Sequence, residues 1–288
     1  MARTALPKIL CVVGPTSSGK TALALELAKQ QNGEIINADA RQIYRGFVIG
    51  TGQPTKEEQQ GILHHLFGFV EPERIYSVAE WKAEALQKIH EVIARQKLPI
   101  VVGGTGLYLQ ALIDNFEPPN VPPQPELREE LSTLPREALI ARLEETDPDA
   151  VTWVDLKNRR RIERALEVVL TTGKSFKEQR MQGEPLVEAK LIAIQRTPGE
   201  LRERINQTID AMLERGWRDE VSALHSSGIP WDAPAMTSIG YRELGAVLRG
   251  EMTDAEAEEQ IRLNTWHYAK RQLTWFKRDA RIEWRAAS

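Results

Sequence analysis

The sequence predicts an α/β fold: a parallel sheet flanked by helices, with a smaller all-helical insertion domain. Apolar, strand-like runs alternate with segments of helical periodicity. These runs lie at residues 9–13, 34–39, 99–102 and 190–194. Between the last two, residues 114–188 change to a proline-rich stretch followed by short amphipathic helices. We therefore expect a core of residues 1–113 and 189–288 and a helical insertion at 114–188.

Composition excludes several classes of protein. The 288 residues carry a net charge of −3, so nucleic-acid binding would need a local basic patch. The single cysteine, Cys11, lies in the first apolar run, which excludes a disulfide framework. No apolar stretch approaches the roughly 20 residues that span a membrane, and the segment before the first strand is too short for a signal peptide. We expect a cytoplasmic protein without membrane contact.

A phosphate-binding loop is predicted between the first strand and the first helix. Its residues are Gly14, Pro15, Thr16, Ser17, Ser18, Gly19, Lys20 and Thr21. The spacing is that of the P-loop, in which curled amides, a helix N-terminus and a lysine bind phosphate and a hydroxyl can hold Mg²⁺. The alternative is a chance match in a glycine-rich turn. The loop therefore predicts a sheet like that of P-loop NTPases. The bound phosphate could belong to a nucleotide or to another activated donor.

Two polar residues follow predicted strands. Asp39 ends the run at 34–39, and Thr105 lies in a glycine-rich segment after the run at 99–102. Because ligands gather at the carboxyl ends of parallel strands, Asp39 is expected near the phosphate loop. It could be a Mg²⁺ ligand, a substrate anchor, a general base or a turn aspartate. The acid that many nucleoside triphosphatases carry after such a strand is missing at Thr105, which disfavours a motor or a switch.

Basic residues are concentrated in two predicted helices. Residues 157–164 contain the densest basic run, and the last long helix, ending near Arg278, interleaves aromatic and basic side chains. Such segments either contact the phosphates and bases of a nucleic acid or are a solvated face and a packed face of ordinary helices. The sequence leaves both interpretations open for each segment.

A further helix and a histidine pair precede the third apolar run. Ser77 and Glu80 match a capping box, which opens a helix to about Arg95. Its predicted apolar side consists of Ala79, Ala83, Leu86, Ile89 and Ile93. Thr197 with Glu200, and Thr253 with Glu256, match capping boxes of two later helices. For His64 and His65 we expect a hydrogen-bonding role rather than metal binding, since no cysteine or acid lies at ligand spacing.

Several motifs, taken together, resemble the bacterial tRNA dimethylallyltransferase family, also called tRNA isopentenyltransferases. They occur in family order over almost the whole chain. The matching segments are residues 14–21, 36–44, 49–51, 64–66, 76–81, 102–109, 161–168, 239–244 and 268–276. Each segment alone is modest evidence, whereas the ordered set is highly specific.

The resemblance implies a reaction and its machinery. The family moves the dimethylallyl group of dimethylallyl diphosphate to the exocyclic amine of adenine 37, beside the tRNA anticodon, and releases diphosphate. The phosphate loop would then bind a prenyl diphosphate instead of ATP, with Mg²⁺ near Thr21. Asp39 corresponds to the general base, and Thr105 to the threonine of the reaction channel. A monomer is expected.

The resemblance also implies how tRNA is bound. The helical insertion would grip the anticodon stem-loop. The tRNA contacts carried over by motif position are Asp39, Ala40, Arg41, Gln42, Thr105, Arg128, Arg160, Arg161, Ile162, Glu163, Arg164, Thr237, Ser238, Ile239, Gly240, Tyr241 and Arg242.

The chain departs from the family pattern at a few positions. Ala40 replaces a serine, Val48 an aspartate, Gln53 a lysine, Asn158 an aspartate and Thr208 an arginine. The last of these arginines would be expected near the diphosphate. Because the base and the phosphate loop are retained, an active enzyme is still predicted.

Two other functions compete with this one. A small-molecule kinase would share the phosphate loop, the aspartate at the strand end and the parallel sheet. It would not account for the basic run or for the last helix. A non-catalytic tRNA-binding relative would account for both, and for the missing lysine and arginine.

Overall fold

The computed structural model describes residues 5–119, 121–177 and 181–286, in two compact units, Met1–Ile113 with Pro185–Ser288 and Asp114–Glu184. The strands are β1 (Lys8–Val13), β2 (Gly33–Asn37), β3 (His64–His65), β4 (Leu98–Gly103), β5 (Phe116–Glu117), β6 (Met181–Gln182), β7 (Glu188–Gln195) and β8 (Ile282–Ala286). The helices are α1 (Lys20–Gln30), α2 (Val78–Ala94), α3 (Gly106–Ile113), α4 (Pro125–Thr133), α5 (Arg136–Thr146), α6 (Arg159–Thr172), α7 (Pro198–Glu214), α8 (Trp217–Ser226), α9 (Tyr241–Leu248) and α10 (Asp254–Phe276).

Among the described residues of the first unit, six strands form a parallel sheet in the order β3-β2-β4-β1-β7-β8. β1 is central, pairing Leu10 with Ile100 and Cys11 with Leu191. Its residues after Lys8 are all buried because helices cover both faces, the pattern expected for a parallel sheet. The predicted α/β fold is confirmed, and Cys11 is buried within the sheet.

Two apolar layers sandwich the sheet. α1 packs on one face through Ala24 and Leu27, and α2 packs on the other through Trp81 and Ile89. The predicted apolar side of α2 is wrong at Ala79, Ala83 and Ile93, which are exposed. Ile89 is buried as predicted, together with Trp81, Lys82, Ala85 and Val92. Trp81 decides the orientation, because its ring stacks on Tyr108 and its indole N–H donates to the carbonyl of Asn37.

The last four helices form a third apolar cluster with the irregular segment after β2. Ile43 and Phe47 of that segment pack with residues of α7, α8, α9 and α10, including Trp217 and Tyr241. Three helices start at capping boxes, of Ser77, Thr197 and Thr253, as their sequences predict. None of the helices that the structure describes is long and apolar enough to cross a membrane.

The second unit, Asp114–Glu184, is built on α4, α5 and α6. Its core consists of apolar residues from all three helices, including Leu131, Leu139, Leu143, Ile162 and Leu166. The apolar faces of these amphipathic helices therefore pack against one another. The same unit also contains a short antiparallel pair, β5 with β6. This pair corrects the expectation that the insertion is all-helical; two residues per strand give too weak a sequence signal to detect.

Candidate active site

The phosphate loop follows β1 and ends at the first turn of α1. Gly14 has a φ of 131° and Gly19 a φ of 103°, conformations that favour glycine, and Ser17 is left-handed at 58°. Gly19 is the N-cap of α1 without a side-chain cap. The first amides of α1 are therefore available to an anion, which the helix dipole favours.

Lys20 lies at the centre of this loop. Its Nζ donates to the carbonyl of Pro15 at 2.6 Å. Burial lowers the pKa of Lys20 to about 8, while the negative charge of Asp39 opposes the shift. Asp39 also lines the same cavity as Lys20, which confirms that Asp39 lies near the phosphate loop.

A tight turn fixes Asp39 two residues after β2. The amide of Asp39 donates to Oδ1 of Asn37 at 2.8 Å, and Oδ1 of Asp39 accepts the amide of Arg41 at 2.9 Å. A Cβ on Gly103 would lie 2.1 Å from the carbonyl oxygen of Ala38, so only glycine allows this approach. Within the described chain no side chain forms an ion pair with Asp39. Its carboxylate can therefore accept a proton.

Thr105 is held beside the same turn. Its Oγ1 accepts the amide of Ala40 at 3.0 Å, and its own amide donates to the carbonyl of Ala38 at 3.2 Å. Tyr268 of α10 lies close to Thr105 and Asp39, and burial followed by the charge of Asp39 raises the pKa of this phenol. Hydrogen bonds of Thr105 therefore hold the turn that carries Asp39.

Gln272, one turn further along α10 and buried, connects the two glycine-rich loops. Its Oε1 accepts the amide of Thr16 at 2.8 Å, and its Nε2 donates to the carbonyl of Gly104 at 2.9 Å. A Cβ on Gly104 would lie 2.1 Å from that Nε2. Neither Gln272 nor Tyr268 was identified as a site residue from the sequence, although both lie in the matching segment 268–276.

A cavity of about 340 Å³ brings these elements together. Its polar wall contains residues 16, 17 and 19–21 of the phosphate loop, together with Asp39. Apolar side chains, including Ile35, Phe67 and Val102, form another part of the wall. Gln42, Thr51 and Gly52 line it as well, and so do Arg204 and Thr208 of α7. The cavity therefore combines anion-binding, apolar and carboxylate surfaces.

Glu220 of α8 anchors the loop that supplies Thr51 and Gly52. Its carboxylate accepts the amides of Val48 at 3.1 Å and Ile49 at 2.7 Å, and the hydroxyl of Tyr241. The departures at Val48 and Gln53 are structural here. Val48 contributes its amide to Glu220 and its carbonyl to the amide of Gln53, and the buried side chain of Gln53 donates to two carbonyls of the same loop. The sequence analysis did not identify Glu220.

The segment at 237–242, expected to contact tRNA, is partly buried. Thr237 and Arg242 are exposed, whereas Ser238, Gly240 and Tyr241 are buried. Arg242 pairs with Glu243, which also caps α9 at the amide of Gly240. Only the exposed positions offer side chains to a partner.

The basic run of the second unit also contains both exposed side chains and side chains that pair within the unit. Arg128 and Arg164 bind the buried carboxylate of Glu167, with Arg128 Nε 2.7 Å from Oε1. Ile162 is buried and Glu163 pairs with Arg159. Arg160 and Arg161 are exposed.

Thr21 is exposed at the start of α1 and lines the cavity. Among the residues that the structure describes, no group of three histidine, cysteine, aspartate or glutamate side chains could hold a metal ion. A Mg²⁺ ion held by one hydroxyl, phosphate oxygens and water would fit this donor set. His65 binds Glu34 and His64 binds the carbonyl of Ile62, which confirms their hydrogen-bonding role.

Comparison with known proteins identifies related chains over the full length. The family model "IPP transferase" matches residues 42–279, and the model "Isopentenyl transferase" matches residues 7–67. The tRNA dimethylallyltransferase of Thermomicrobium roseum is 42% identical over 96% of this chain and 85% of its own. That of Bacillus pumilus is 40% identical over 99% and 91%.

Solved structures agree with these matches. The tRNA isopentenylpyrophosphate transferase of Bacillus halodurans superposes with a TM-score of 0.73 at 37% identity, covering 97% of this chain and 90% of that one. A eukaryotic dimethylallyltransferase acting on tRNA gives a TM-score of 0.80 at 27% identity, covering 98% and 74%. The chain therefore belongs to the IPP transferase family, the family of the tRNA dimethylallyltransferases.

Proposed function

We propose that the protein transfers the dimethylallyl group of dimethylallyl diphosphate to N6 of adenine 37 in tRNA, giving N6-(dimethylallyl)adenosine and diphosphate. Family membership supports prenyl transfer to tRNA. The observation that carries the chemistry is the single cavity that contains both the phosphate loop and Asp39. The proposal includes that the protein acts as a monomer in the cytoplasm. Light scattering on the purified protein would test whether it is a monomer.

The donor binds through its diphosphate. Amides at the start of α1 and the ammonium of Lys20 surround the anion, and they stabilise the negative charge that grows as the C–O bond breaks. Mg²⁺, held by the Thr21 hydroxyl and the phosphates, would add further charge stabilisation. The apolar side chains of the cavity suit the five-carbon group.

The transfer is a substitution at C1 of the donor. The N6 lone pair of adenine forms the new C–N bond, while the electrons of the C–O bond leave with the diphosphate. The proton from N6 passes to the carboxylate of Asp39, because the amine is a poor nucleophile until it loses that proton. General-base help of this kind is worth about 10²–10⁴-fold in rate. Thr105 holds the turn that carries the base through the amide of Ala40, and Tyr268 lies close to this turn.

The tRNA is bound through cationic surface on each unit. Arg160 and Arg161 are the exposed cations at the start of α6, and Thr237 and Arg242 are exposed near α9. They suit phosphate contacts with the anticodon stem-loop. Adenine 37 lies in the loop rather than a duplex, so extruding it costs only unstacking.

Mass spectrometry of nucleosides from tRNA incubated with the protein, Mg²⁺ and dimethylallyl diphosphate tests the proposal. We expect a dimethylallyl adenosine at position 37 and its absence when the donor is omitted. Binding of tRNA without incorporation would contradict it in favour of a non-catalytic relative. Tight ATP binding with no affinity for the prenyl donor, measured by calorimetry, would favour a kinase.

A further inference from the structure

Arg204 is a cation of the cavity that no motif singles out. It lies on α7, half-buried, and its Nε donates to the carbonyl of Ser17 at 2.9 Å. A terminal nitrogen of its guanidinium lies 3.9 Å from the position that a Cβ on Gly19 would occupy. The arginine therefore lies along the phosphate loop with its fork beside the glycine that starts α1.

Arg196, just after β7, approaches the same loop from the other side. Its Nε donates to the carbonyl of Ser18 at 3.0 Å, and a terminal nitrogen lies 3.8 Å from the same Cβ position on Gly19. Unlike Arg204, it does not line the cavity. It provides a natural comparison within the same structure.

The positive charge around the cavity is not neutralised by carboxylates of the described chain. Across residues 5–119, 121–177 and 181–286, no carboxylate forms an ion pair with Arg204 or Arg196, although most surface arginines have one. Asp39 is the one acid in the described lining, against Lys20 and Arg204. A half-buried, unpaired guanidinium is costly, and an anionic ligand removes that cost.

Thr208 lies one helical turn after Arg204 and carries no charge. Its hydroxyl accepts from the Ser17 hydroxyl at 3.2 Å and donates to the carbonyl of Arg204 at 2.7 Å. Thr208 therefore braces both the phosphate loop and the backbone of Arg204. In this chain the positive charge that α7 brings to the cavity comes from Arg204.

We propose that Arg204 is a ligand of the donor's diphosphate, so that the anion site extends from the phosphate loop to α7. The inference rests on the proposed function for the identity of the donor and names a residue that binds it. With Nε fixed on Ser17, the two terminal nitrogens are free to bind two oxygens of one phosphate. A lysine would keep the charge but lose this fork.

Calorimetry with inorganic diphosphate and Mg²⁺, on the full-length protein without tRNA, tests the inference. Arg204→Gln should weaken binding about 10- to 100-fold, as expected for a charge-assisted bidentate contact. Arg204→Lys should fall between that variant and the wild type, and Arg196→Gln should lose less than Arg204→Gln. Arg202→Gln, an exposed arginine on the same helix, is the matched control and should bind as the wild type does.

A purely structural role for Arg204 predicts different results. Arg204→Gln would then melt earlier without ligand, whereas a ligand role leaves that midpoint near the wild type and removes the rise that diphosphate induces. Unchanged diphosphate affinity in Arg204→Gln, or an equal loss in Arg202→Gln, would overturn the inference. If Arg204→Gln does not fold, Arg204→Lys decides: affinity equal to the wild type overturns it.

The nucleoside assay separates this inference from the proposed function. A wild type that binds diphosphate through Arg204 but modifies no tRNA would refute the function and leave the anion site intact. A wild type that modifies tRNA while Arg204→Gln retains the same KM for the donor and the same diphosphate affinity would refute only the inference.

Discussion

Two cation-rich regions of this protein treat their charges in opposite ways. At the cavity, Lys20 and Arg204 have no carboxylate partner forming an ion pair within the described chain, and Asp39 is likewise unpaired. In the unit of residues 114–184, Arg128 and Arg164 converge on Glu167, which is only 1% exposed. The charged side chains of the cavity therefore remain available to ligands, whereas Arg128 and Arg164 are paired with a carboxylate of their own unit.

Glu167 shows what internal pairing does. Burial alone would raise its pKa, but hydrogen bonds from Arg128, the Gln124 amide and Arg164 lower it to about 2. Arg164 also donates to the carbonyl of Val121 at 2.9 Å. These arginines therefore join α4 and the segment before it to α6. The arginines of an arginine-rich motif are thus not all available to a ligand, because one buried carboxylate can pair with some of them.

The largest expected effect is on the unpaired acid of the cavity. Asp39→Asn should lower single-turnover prenylation by about 10²–10⁴-fold, because the amide cannot accept the proton of N6. Its tRNA affinity and unfolding midpoint should change little, since no ion pair is lost. Asp232→Asn, an exposed control, should retain full activity. Unaltered turnover in Asp39→Asn would remove it as the base.

The paired acid should behave in the opposite way. Glu167→Ala should destabilise the unit of residues 114–184 by about 1.5–3 kcal/mol, because it removes a buried carboxylate that accepts hydrogen bonds from two partly exposed arginines and the Gln124 amide. Urea unfolding followed by limited proteolysis of that unit would measure the loss. Glu144→Ala, an exposed acid of α5, is the control. Diphosphate affinity should remain unchanged, and a loss of it would contradict the separation of the two regions.

The same pair predicts an acid dependence. The folded pKa of Glu167, about 2, lies below the ordinary value, so its stabilising contribution is fully present above that ordinary pKa. It is lost as the pH falls through about 2. The wild type should therefore lose more stability than Glu167→Gln between pH 5 and pH 2, and parallel curves would contradict the pairing.

A smaller effect is expected for the exposed arginines of α6. Arg160→Ala with Arg161→Ala should weaken tRNA binding about tenfold and reduce the slope of log affinity against log salt by about 0.7–0.9 per contact. Arg136→Ala with Arg142→Ala removes the same charge from α5 and should leave the slope nearly unchanged. A slope equal to the wild type in the first pair would mean that these residues are only a solvated face.

An effect of the same size is expected for Lys20. Because its pKa in the free protein is about 8, diphosphate affinity should fall about tenfold between pH 7 and pH 9 as the ammonium loses its proton. Lys20→Arg keeps its charge over this range, so its curve should contain only the ionisation of diphosphate. Parallel curves for the two proteins would show that Lys20 does not titrate there.

The phosphate loop illustrates how well local patterns predicted this structure. The strand, loop and helix at residues 8–30 and the capping boxes of Ser77, Thr197 and Thr253 are present as expected. Each depends on residues a few positions apart. α8 and β8 received no prediction, because neither short segment shows a clear period. The apolar side of α2 was misplaced because Trp81 and its ring partner, Tyr108, decided it.

The candidate site shows the same division. Asp39 was expected beside the loop from the topology of parallel sheets, and it lies there. Arg204, Gln272 and Glu220 were not identified, since each contacts the loops of the site from 170 or more residues further along the chain. A sequence pattern cannot report contacts of that separation.

The sequence by itself determined the family, the phosphate loop, the sheet and the acid at its carboxyl edge. Only the tertiary structure decided which charged side chains are neutralised: Arg128 and Arg164 are paired with Glu167, while Arg204 and Lys20 remain without a carboxylate in the described chain. The reason is physical. The state of a charge depends on its desolvation and on its nearest opposite charge, and packing between distant segments sets both.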